Sequence, residues 1–313
     1  MANNFTYGYA DLFQRALDQQ AVQEALTGWM DANAGQVIYN GGKTVKIPKM
    51  SVAGMGDYDR VNGYPNGGVT LTYESRELTQ DRGTKILLDA MDVDETNFVA
   101  SAGSVMSEFQ RTQVVPEIDA YRLSALVTMA IAGTNQVEYG YTPAKATIAD
   151  KLIEAIGKVK NAGFRNIPLV IHATTDVVTA LAQARVANAG EVSFTANGLT
   201  TVVPAIDGIP IIETDSARMV SAIAISEEDG WEKDEDAMDV NFIVVPRTTP
   251  IAVSKQDNMK IFTPQENQSA DAWLCEYRRY HDLWVMDNKK AGIYVNIKDA
   301  QGESESESES ESE

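Results

Sequence analysis

The chain has 313 residues, of which 44% are hydrophobic and 23% are charged, so it can bury a sizeable globular core. Its formal net charge is −19, and only six of the acidic residues lie in the last segment, 303–313, so the rest of the chain is acidic as well. Because general affinity for nucleic acid requires cations that neutralise phosphates, this charge excludes a protein that gathers nucleic acid with a basic arm.

The sequence also limits the compartment and the covalent chemistry. No stretch is apolar for long enough to span a bilayer, and the first residues lack the basic start and apolar run of a secretion signal. We therefore expect a protein that is made in the cytosol and is not bound to a membrane. Cys275 is the single cysteine, so one chain can form neither an internal disulfide nor a thiolate cage around a metal.

The first segment, residues 1–35, predicts a helical arm. Apolar side chains recur along it at spacings of three and four residues, the pattern of an amphipathic helix. A stripe this strong at a terminus has to pack either on its own domain or on a neighbouring subunit. For the second case, Leu12, Phe13 and Trp29 are the candidate contacts.

Residues 36–88 predict an extended β-hairpin. Apolar and polar residues alternate around Val45 and Ile47 and again from Val69 to Tyr73, which indicates two strands. The stretch between them is rich in glycine and poor in large apolar residues, so it is expected to form a long flexible tip. A two-stranded ribbon is marginally stable by itself in water, so this hairpin needs a partner surface.

The hairpin carries six candidate contacts between subunits, three of them lysines near the first strand and three of them residues of the tip. They are Lys43, Lys46, Lys49, Tyr58, Arg60 and Tyr64. The lysines have two interpretations, and the sequence leaves both open. They protect an exposed strand edge from unwanted pairing, or they form ion pairs with an acidic neighbouring subunit.

A long helix is predicted next. Apolar residues recur at helical spacings from Phe98 to Phe109 and again from Ile118 to Leu126. Pro116 lies between the two parts. Because proline lacks an amide hydrogen and its ring obstructs the preceding turn, we expect a kink or a new helix start at this position.

Residues 142–240 predict an α/β unit. A helix with an apolar seam that begins at Ile148 precedes a strand of the buried type at 168–173. A second helix is expected to start at Thr174 or Thr175, and an Asp207-Gly208 turn then leads to another apolar strand.

From residue 241 onward the pattern is that of β-strands. The stretch 272–286 is rich in aromatic residues, and residues 287–290 predict a hairpin turn that leads into a strand at 292–295. The final segment alternates serine and glutamate. Such a repetitive, self-repelling composition predicts disorder, and the sequence does not decide whether the segment is natural or an appended tag.

No catalytic or metal-binding constellation is visible in the residues. His172 lies in an apolar strand, where a buried structural histidine is the usual outcome, and His281 and Asp282 would point to opposite faces of a strand. The acidic run 226–239 lacks the spacing of a calcium-binding loop, and Gly42-Lys43-Thr44 lacks the upstream glycine of a phosphate-binding loop. We expect no enzymatic activity, no cofactor and no metal.

Four stretches, taken in order, resemble one known family, the major capsid proteins of tailed phages and prophages, which have the Hong Kong 97-type fold. They are RTQVVPEIDAYR at 111–122, GIPIIE at 208–213, NFIVVP at 241–246 and YHDLWV at 280–285. The order of arm, hairpin, long helix, α/β unit and returning strands is also similar to that of the family. The resemblance covers residues 1–298.

The resemblance implies an α+β fold with six parts. They are an N-terminal arm (1–35), an extended β-hairpin loop (36–88), a spine helix with the first part of a peripheral domain (89–141), an axial domain (142–240), the second part of the peripheral domain (241–298) and a disordered Ser-Glu tail (299–313).

The resemblance further implies a structural subunit that assembles with itself, as pentamers and hexamers, into an icosahedral virion shell around double-stranded DNA. A separate motor would package the DNA, which agrees with the acidic charge. Assembly in the host bacterial cytoplasm would involve a separate scaffolding protein, because the chain begins close to its arm, together with a portal and decoration proteins. Some relatives cross-link a loop lysine to an asparagine, for which Lys43, Lys46 or Lys49 would be the donor, but no partner residue is identified.

Two alternatives stay open. An encapsulin-type compartment shares the fold but encloses protein cargo, so the content of purified particles separates it from a virus shell. A soluble α/β enzyme is the alternative of another class, and the lack of a catalytic constellation in the sequence argues against it.

Overall fold

The computed structural model describes residues 25–301, apart from residues 37, 40–43, 59, 61–62, 64–66, 90, 92–101, 134–135, 186–187, 197–198 and 227–229. Six residues named above, Leu12, Phe13, Gly42, Lys43, Tyr64 and Phe98, lie outside the described residues, as do most of the predicted arm and most of the Ser-Glu tail.

The described residues combine helices and sheets, which confirms the α+β fold class. The strands are β1 (Ile38–Tyr39), β2 (Thr44–Val52), β3 (Val69–Glu77), β4 (Gln80–Asp89), β5 (Val137–Glu138), β6 (Leu169–Thr174), β7 (Ala189–Ala196), β8 (Leu199–Ile206), β9 (Ile209–Thr214), β10 (Ile223–Ile225), β11 (Trp231–Lys233), β12 (Val240–Pro246), β13 (Pro250–Phe262), β14 (Ala272–Val285) and β15 (Tyr294–Ile297). The α-helices are α1 (Ala102–Phe109), α2 (Val115–Gly133), α3 (Ile148–Val159) and α4 (Thr175–Ala184).

A seven-stranded mixed sheet forms the centre of the α/β unit, in the order β5-β15-β12-β6-β9-β8-β7. Alternate residues of β6 point to opposite faces, and all six are buried because both faces are covered. Ile171 packs with α3 and α4 on one face, whereas Val170 packs with α2 on the other. The expected Asp207-Gly208 turn joins β8 to β9, and both of its residues have positive φ angles, of 52° and 75°.

The long helix runs from α1 through a π-helical turn, Gln110–Val114, into α2. The amide of Val115 bonds to the carbonyl of Gln110, five residues back, so the turn that precedes Pro116 is widened. A wider turn makes room for the proline ring, which would otherwise collide with the carbonyl four residues earlier. The expected break at Pro116 is confirmed.

A single apolar seam does not describe α2, because the helix is buried on almost every side. Its N-terminal neighbour α1 packs through Met106 against Cys275 and Tyr277 of β14. Farther along, Leu123 and Leu126 of α2 pack against the seven-stranded sheet. The long helix, α1 with α2, thus contacts both the seven-stranded sheet and the sheet that contains β14.

The second sheet has the order β13-β14-β4. Its strand β4 lies within the range predicted for the hairpin loop but pairs with β14 along its whole length. The hairpin turn predicted at 287–290 is wrong. Asp287–Gly292 forms a 3₁₀ helix. The next strand, β15, does not pair with β14 but pairs with β12 and β5 in the seven-stranded sheet. The turn pattern could not show this, because it does not specify which strand the next segment will pair with.

Asp119 of α2 is a fully buried carboxylate that connects three parts of the chain. It accepts hydrogen bonds from the amides of Leu26 and Thr27, each at 3.0 Å, and from the Thr27 hydroxyl. Arg218, in the 3₁₀ turn after β9, lies 3.4 Å away on the other side. The pKa of Asp119 is raised above its ordinary value because the carboxyl group is buried. The hydrogen bonds from Thr27 and Leu26 and the nearby charge of Arg122 oppose this shift.

Arg122 lies one helical turn farther along and is also buried. Its guanidinium group holds Asp31 through bonds of 2.6 and 3.2 Å and also donates to the Thr27 carbonyl. Because each buried charge has a partner of opposite sign, the helix can carry both through the core.

Trp29 lies in the core of its own chain. Its indole nitrogen donates to Nε2 of His172 at 3.2 Å, and Nδ1 of His172 lies 3.4 Å from the Thr214 hydroxyl. Since Nε2 accepts, the ring proton is on Nδ1. Burial lowers the pKa of His172 to about 3, so the ring is neutral in the fold.

None of the helices in the described part of the chain is both long and apolar enough to cross a membrane.

We expect Asp119→Ala to lower the free energy of unfolding by about 3–5 kcal/mol, because it removes the acceptor of three donors, the Leu26 and Thr27 amides and the Thr27 hydroxyl, and the carboxylate beside Arg218. Urea denaturation of the subunit measures this. Asp81→Ala is the matched control, since it removes an exposed pair with Arg278 on the surface of the second sheet and should change stability little. Equal effects of the two substitutions would contradict the role assigned to Asp119.

The buried histidine predicts a pH dependence. The unfolded chain binds a proton at His172 below its ordinary pKa of about 6.5, whereas the fold does not until about pH 3. The stability that His172 contributes is therefore present above pH 6.5 and is lost as the pH falls, by up to about 1.4 kcal/mol per pH unit. His172→Gln should flatten the stability profile between pH 6.5 and 5 relative to the wild type, and parallel profiles would refute this assignment.

Candidate subunit interface

Strands β2 and β3 form an antiparallel ribbon, paired from Thr44 and Glu77 at the base to Val52 and Val69 at the far end. Alternate residues of a strand point to opposite sides, so the ribbon has two faces of different composition. We call the face that carries Val45 the inner face and the opposite one the outer face.

The inner face attaches the ribbon to the body. Val45 and Ile47 are fully buried in a cluster with β13 and β14 residues, among them Ile251, Tyr280 and Trp284. This contact lies only at the base. Farther out the inner face is polar, with Ser51 and other hydroxyl side chains.

The outer face carries a ladder of exposed apolar side chains. Cross-strand pairs in register are Pro48 with Tyr73, Met50 with Leu71, and Val52 with Val69, and we call these six residues the apolar ladder. Five of them, all but Pro48, are between 52% and 66% exposed. A contiguous exposed apolar patch of this kind marks a site of interaction with another surface.

Ion pairs link the inner face to the body beside its apolar base, since Arg76 is paired with Val45 and Lys49 lies two residues beyond Ile47. Lys49 of β2 lies 3.4 Å from Glu74 of β3 and 3.5 Å from Asp287 of the body, and Arg76 of β3 lies 3.5 Å from each of the same two carboxylates. Lys290 lies 2.7 Å from Asp287. We call these five residues the charge bracket.

The structure corrects one of the predicted contacts between subunits. Trp29 is only 1% exposed in its own chain, so it has no surface to offer a neighbour. The amphipathic pattern of the arm fits packing on the chain's own domain as well as packing on a neighbour. The hydrogen bond from Trp29 to His172 shows that Trp29 packs within its own chain. Lys49 forms ion pairs within the chain, in the charge bracket, and its side chain is still 42% exposed, so its contact with a neighbour stays a prediction.

The other described candidates are exposed on the ribbon. Lys46 lies on the outer face next to the apolar ladder, and Tyr58 and Arg60 lie at the tip. Their contacts with a neighbour therefore stay predictions.

The apolar ladder was missed as a site. The alternation from Val69 to Tyr73 was assigned only to a strand, and Met50 and Val52 were not included. The signal that could have revealed the ladder is the alternation on both strands taken in register, since a one-residue shift would turn these side chains to the other face.

The two histidines do not form a catalytic pair. His172 is held by Trp29 and Thr214, and His281 packs edge to face against Tyr121 with ring centroids 5.6 Å apart. The neighbouring Asp282 carboxylate accepts instead from the Tyr121 hydroxyl at 2.6 Å. Within the described ranges, no group of three or more His, Cys, Asp or Glu side chains converges as a metal site.

The sequence matches no protein-family model and no curated protein. Similar solved structures include one from Mycobacterium phage Che8, at 17% identity and a TM-score of 0.57, which covers 82% of this chain and 85% of that one. The mature capsid of bacteriophage PhiM1 matches at 10% identity and a TM-score of 0.58, with 83% of each chain covered. A virus-like particle from Pyrococcus furiosus matches at 10% identity and a TM-score of 0.50, with 92% and 99% covered.

At these low identities the comparison concerns the fold and not the activity. The matches extend over most of this chain and over most of each phage structure. They confirm the fold that the sequence resemblance implied, and the chain has the Hong Kong 97-type fold found in tailed-phage capsid structures.

Proposed function

We propose that the chain is a structural shell subunit, the major capsid protein of a tailed phage or prophage, that assembles with copies of itself. The observation that carries this proposal is the apolar ladder on the outer face of a ribbon attached to the body only at its base. The fold shared with phage capsid structures supports it.

The ladder favours a second copy as its partner for a physical reason. Burying apolar surface stabilises a contact by about 25 cal/mol per Å², so six exposed side chains on one face gain from docking on a neighbour. Contacts that repeat head to tail close into rings, and several modest contacts per subunit add up across an assembly. A projecting ribbon can reach a neighbour in this way.

The finer assignment follows from the family resemblance. The subunits would form pentamers and hexamers of an icosahedral shell around double-stranded DNA, in a virion assembled in the host bacterial cytoplasm. The net charge of −19 agrees with DNA that is driven in by a separate motor, because an acidic chain does not attract phosphates. A separate scaffolding protein, a portal and decoration proteins are proposed as partners.

A structural role also agrees with how the chain uses its reactive groups. Burial lowers the pKa of both His172 and His281 and raises that of Cys275 to about 11, which leaves all three neutral. In a neutral thiol the reactive thiolate is scarce. We propose that the chain is not an enzyme.

Electron microscopy of the purified full chain tests the proposal directly. We expect shells, tubes or capsomers over a range of salt and protein concentrations. Only small discrete particles under every condition would overturn it. The content of purified shells then separates a virus shell, which holds nuclease-protected double-stranded DNA, from an encapsulin-type compartment, which holds protein.

A pair of adjacent substitutions tests the outer face. Leu71→Asp places a charge in the apolar ladder and should abolish assembly, whereas stability of the subunit should change little because Leu71 is already 52% exposed. Thr70→Asp is the matched control on the inner face, one residue away and paired with Ser51. Sedimentation analysis measures assembly, and equal assembly of the two variants would contradict the docking role of the ladder.

A further inference from the structure

The apolar ladder can dock only if the ribbon leaves the body at a suitable angle. The buried base, Val45 and Ile47 of β2 with Leu78 just after β3, fixes where the ribbon starts, whereas the strands farther out are exposed. The exposed residue Met55 lies six positions beyond Lys49, which corresponds to about 20 Å of extended chain. A small rotation at the base therefore moves the far end of the ribbon by several ångströms.

The charge bracket lies at the point where this rotation can be restrained. Lys49 comes from β2 and Arg76 from β3, and each lies 3.5 Å from a different oxygen of the Asp287 carboxylate. One body carboxylate therefore contacts both strands of the ribbon. A single contact would leave the ribbon free to pivot, whereas two contacts on separate strands oppose rotation in both directions.

Asp287 is the first residue of a 3₁₀ helix that packs tightly on the body. The 3₁₀ helix Asp287–Gly292 packs so closely that a Cβ atom on Gly292 would lie 2.7 Å from the Phe164 ring. The Lys289 ammonium donates to the Thr248 carbonyl at 3.0 Å. The same helix joins β14 of one sheet to β15 of the other, so its position follows that of the body.

We propose that Asp287 is a positioning residue for the apolar ladder, and that its contacts with Lys49 and Arg76 set the angle at which the ribbon leaves the body. This inference rests on the proposed function in taking the ladder as the docking site. The three side chains are 38–42% exposed, so their attraction is open to screening by salt. The charge bracket thus fixes the angle of the ribbon at low ionic strength, and high ionic strength weakens this restraint. The buried base keeps the ribbon attached in both cases.

Between pH 5 and 8 we expect ionic strength, and not pH, to change the contacts of Asp287 with Lys49 and Arg76. The Lys290 ammonium beside it lowers the pKa of Asp287 to about 2. The charged groups that face Asp287 are Lys49, Arg76, Glu74 and Lys290. Asp287 therefore stays ionised from pH 5 to 8.

The angle is measured on the unassembled full chain by pulsed electron paramagnetic resonance between spin labels at Thr70→Cys, an exposed residue of β3 near the far end of the ribbon, and Lys298→Cys. The native Cys275 is buried and stays unlabelled. We expect a narrow distance distribution for the otherwise wild-type chain at low salt. It should broaden at about 1 M salt, where the Debye length falls to about 3 Å, and it should be unchanged between pH 8 and 5.

Three variants and one control complete the test. Asp287→Asn and Arg76→Gln should each lose the narrow distribution at low salt, and the second does so without touching the pair of Asp287 with Lys290. Asp287→Glu should restore it. Asp81→Asn, which removes an exposed ion pair away from the ribbon, should match the wild type.

An unchanged distribution in both Asp287→Asn and Arg76→Gln would overturn the proposal, as would equal broadening in Asp81→Asn. Because labels and variants are read out before assembly, this failure would leave the shell function standing. Conversely, a chain that never assembles could still show the salt-dependent angle.

Discussion

The architecture depends on the burial of a charged helix. The spine, α1 and α2, contacts both sheets, and α2 is buried on almost every side, yet it carries Asp119 and Arg122 into the core. An unpaired charge in this place would cost several kcal/mol, so the helix requires partners from elsewhere in the chain. The residues that supply them to Asp119 are Thr27 and Arg218, which lie 92 positions before it and 99 positions after it in the chain.

This network has a structural consequence for the segment that precedes the ribbon. Leu26 and Thr27 are held by Asp119, Asp31 is held by Arg122, and Trp29 is bonded to His172. Residues that could have formed an independent arm are thereby part of the core. The first strand of the ribbon, β2, begins only a short distance farther along the chain, so the ribbon starts from a well-anchored position.

The two faces of the ribbon have different roles. The inner face attaches the ribbon to the body, and the outer face is the one proposed to dock on a neighbour. The inner face uses buried apolar residues at the base and exposed ions just beyond, whereas the outer face leaves the apolar ladder in water. Strong, unscreened interactions hold the body together, and weak, screened ones set the angle of the ribbon. Under the proposed function, in which the subunit docks on neighbours, this difference in strength allows the ribbon to move without unfolding the body.

Local sequence patterns determined the elements that depend on near neighbours. The period of α3 from Ile148, the buried strand β6, the Asp207-Gly208 turn and the break at Pro116 follow from residue spacing, proline geometry and glycine tolerance, and the structure agrees with each. The resemblance of ordered stretches was sufficient to predict the α+β, Hong Kong 97-type fold.

Only the tertiary structure decided which surfaces meet. Trp29 was only a candidate contact with a neighbour, because an amphipathic pattern does not identify what it packs against. The strand after Asp287 joined another sheet because a turn signal does not specify a pairing partner. The apolar ladder and the charge bracket require the register of β2 with β3 and the position of Asp287, which lies far along the chain. These are long-range relations, and residue spacing carries information only about the segment in which it occurs.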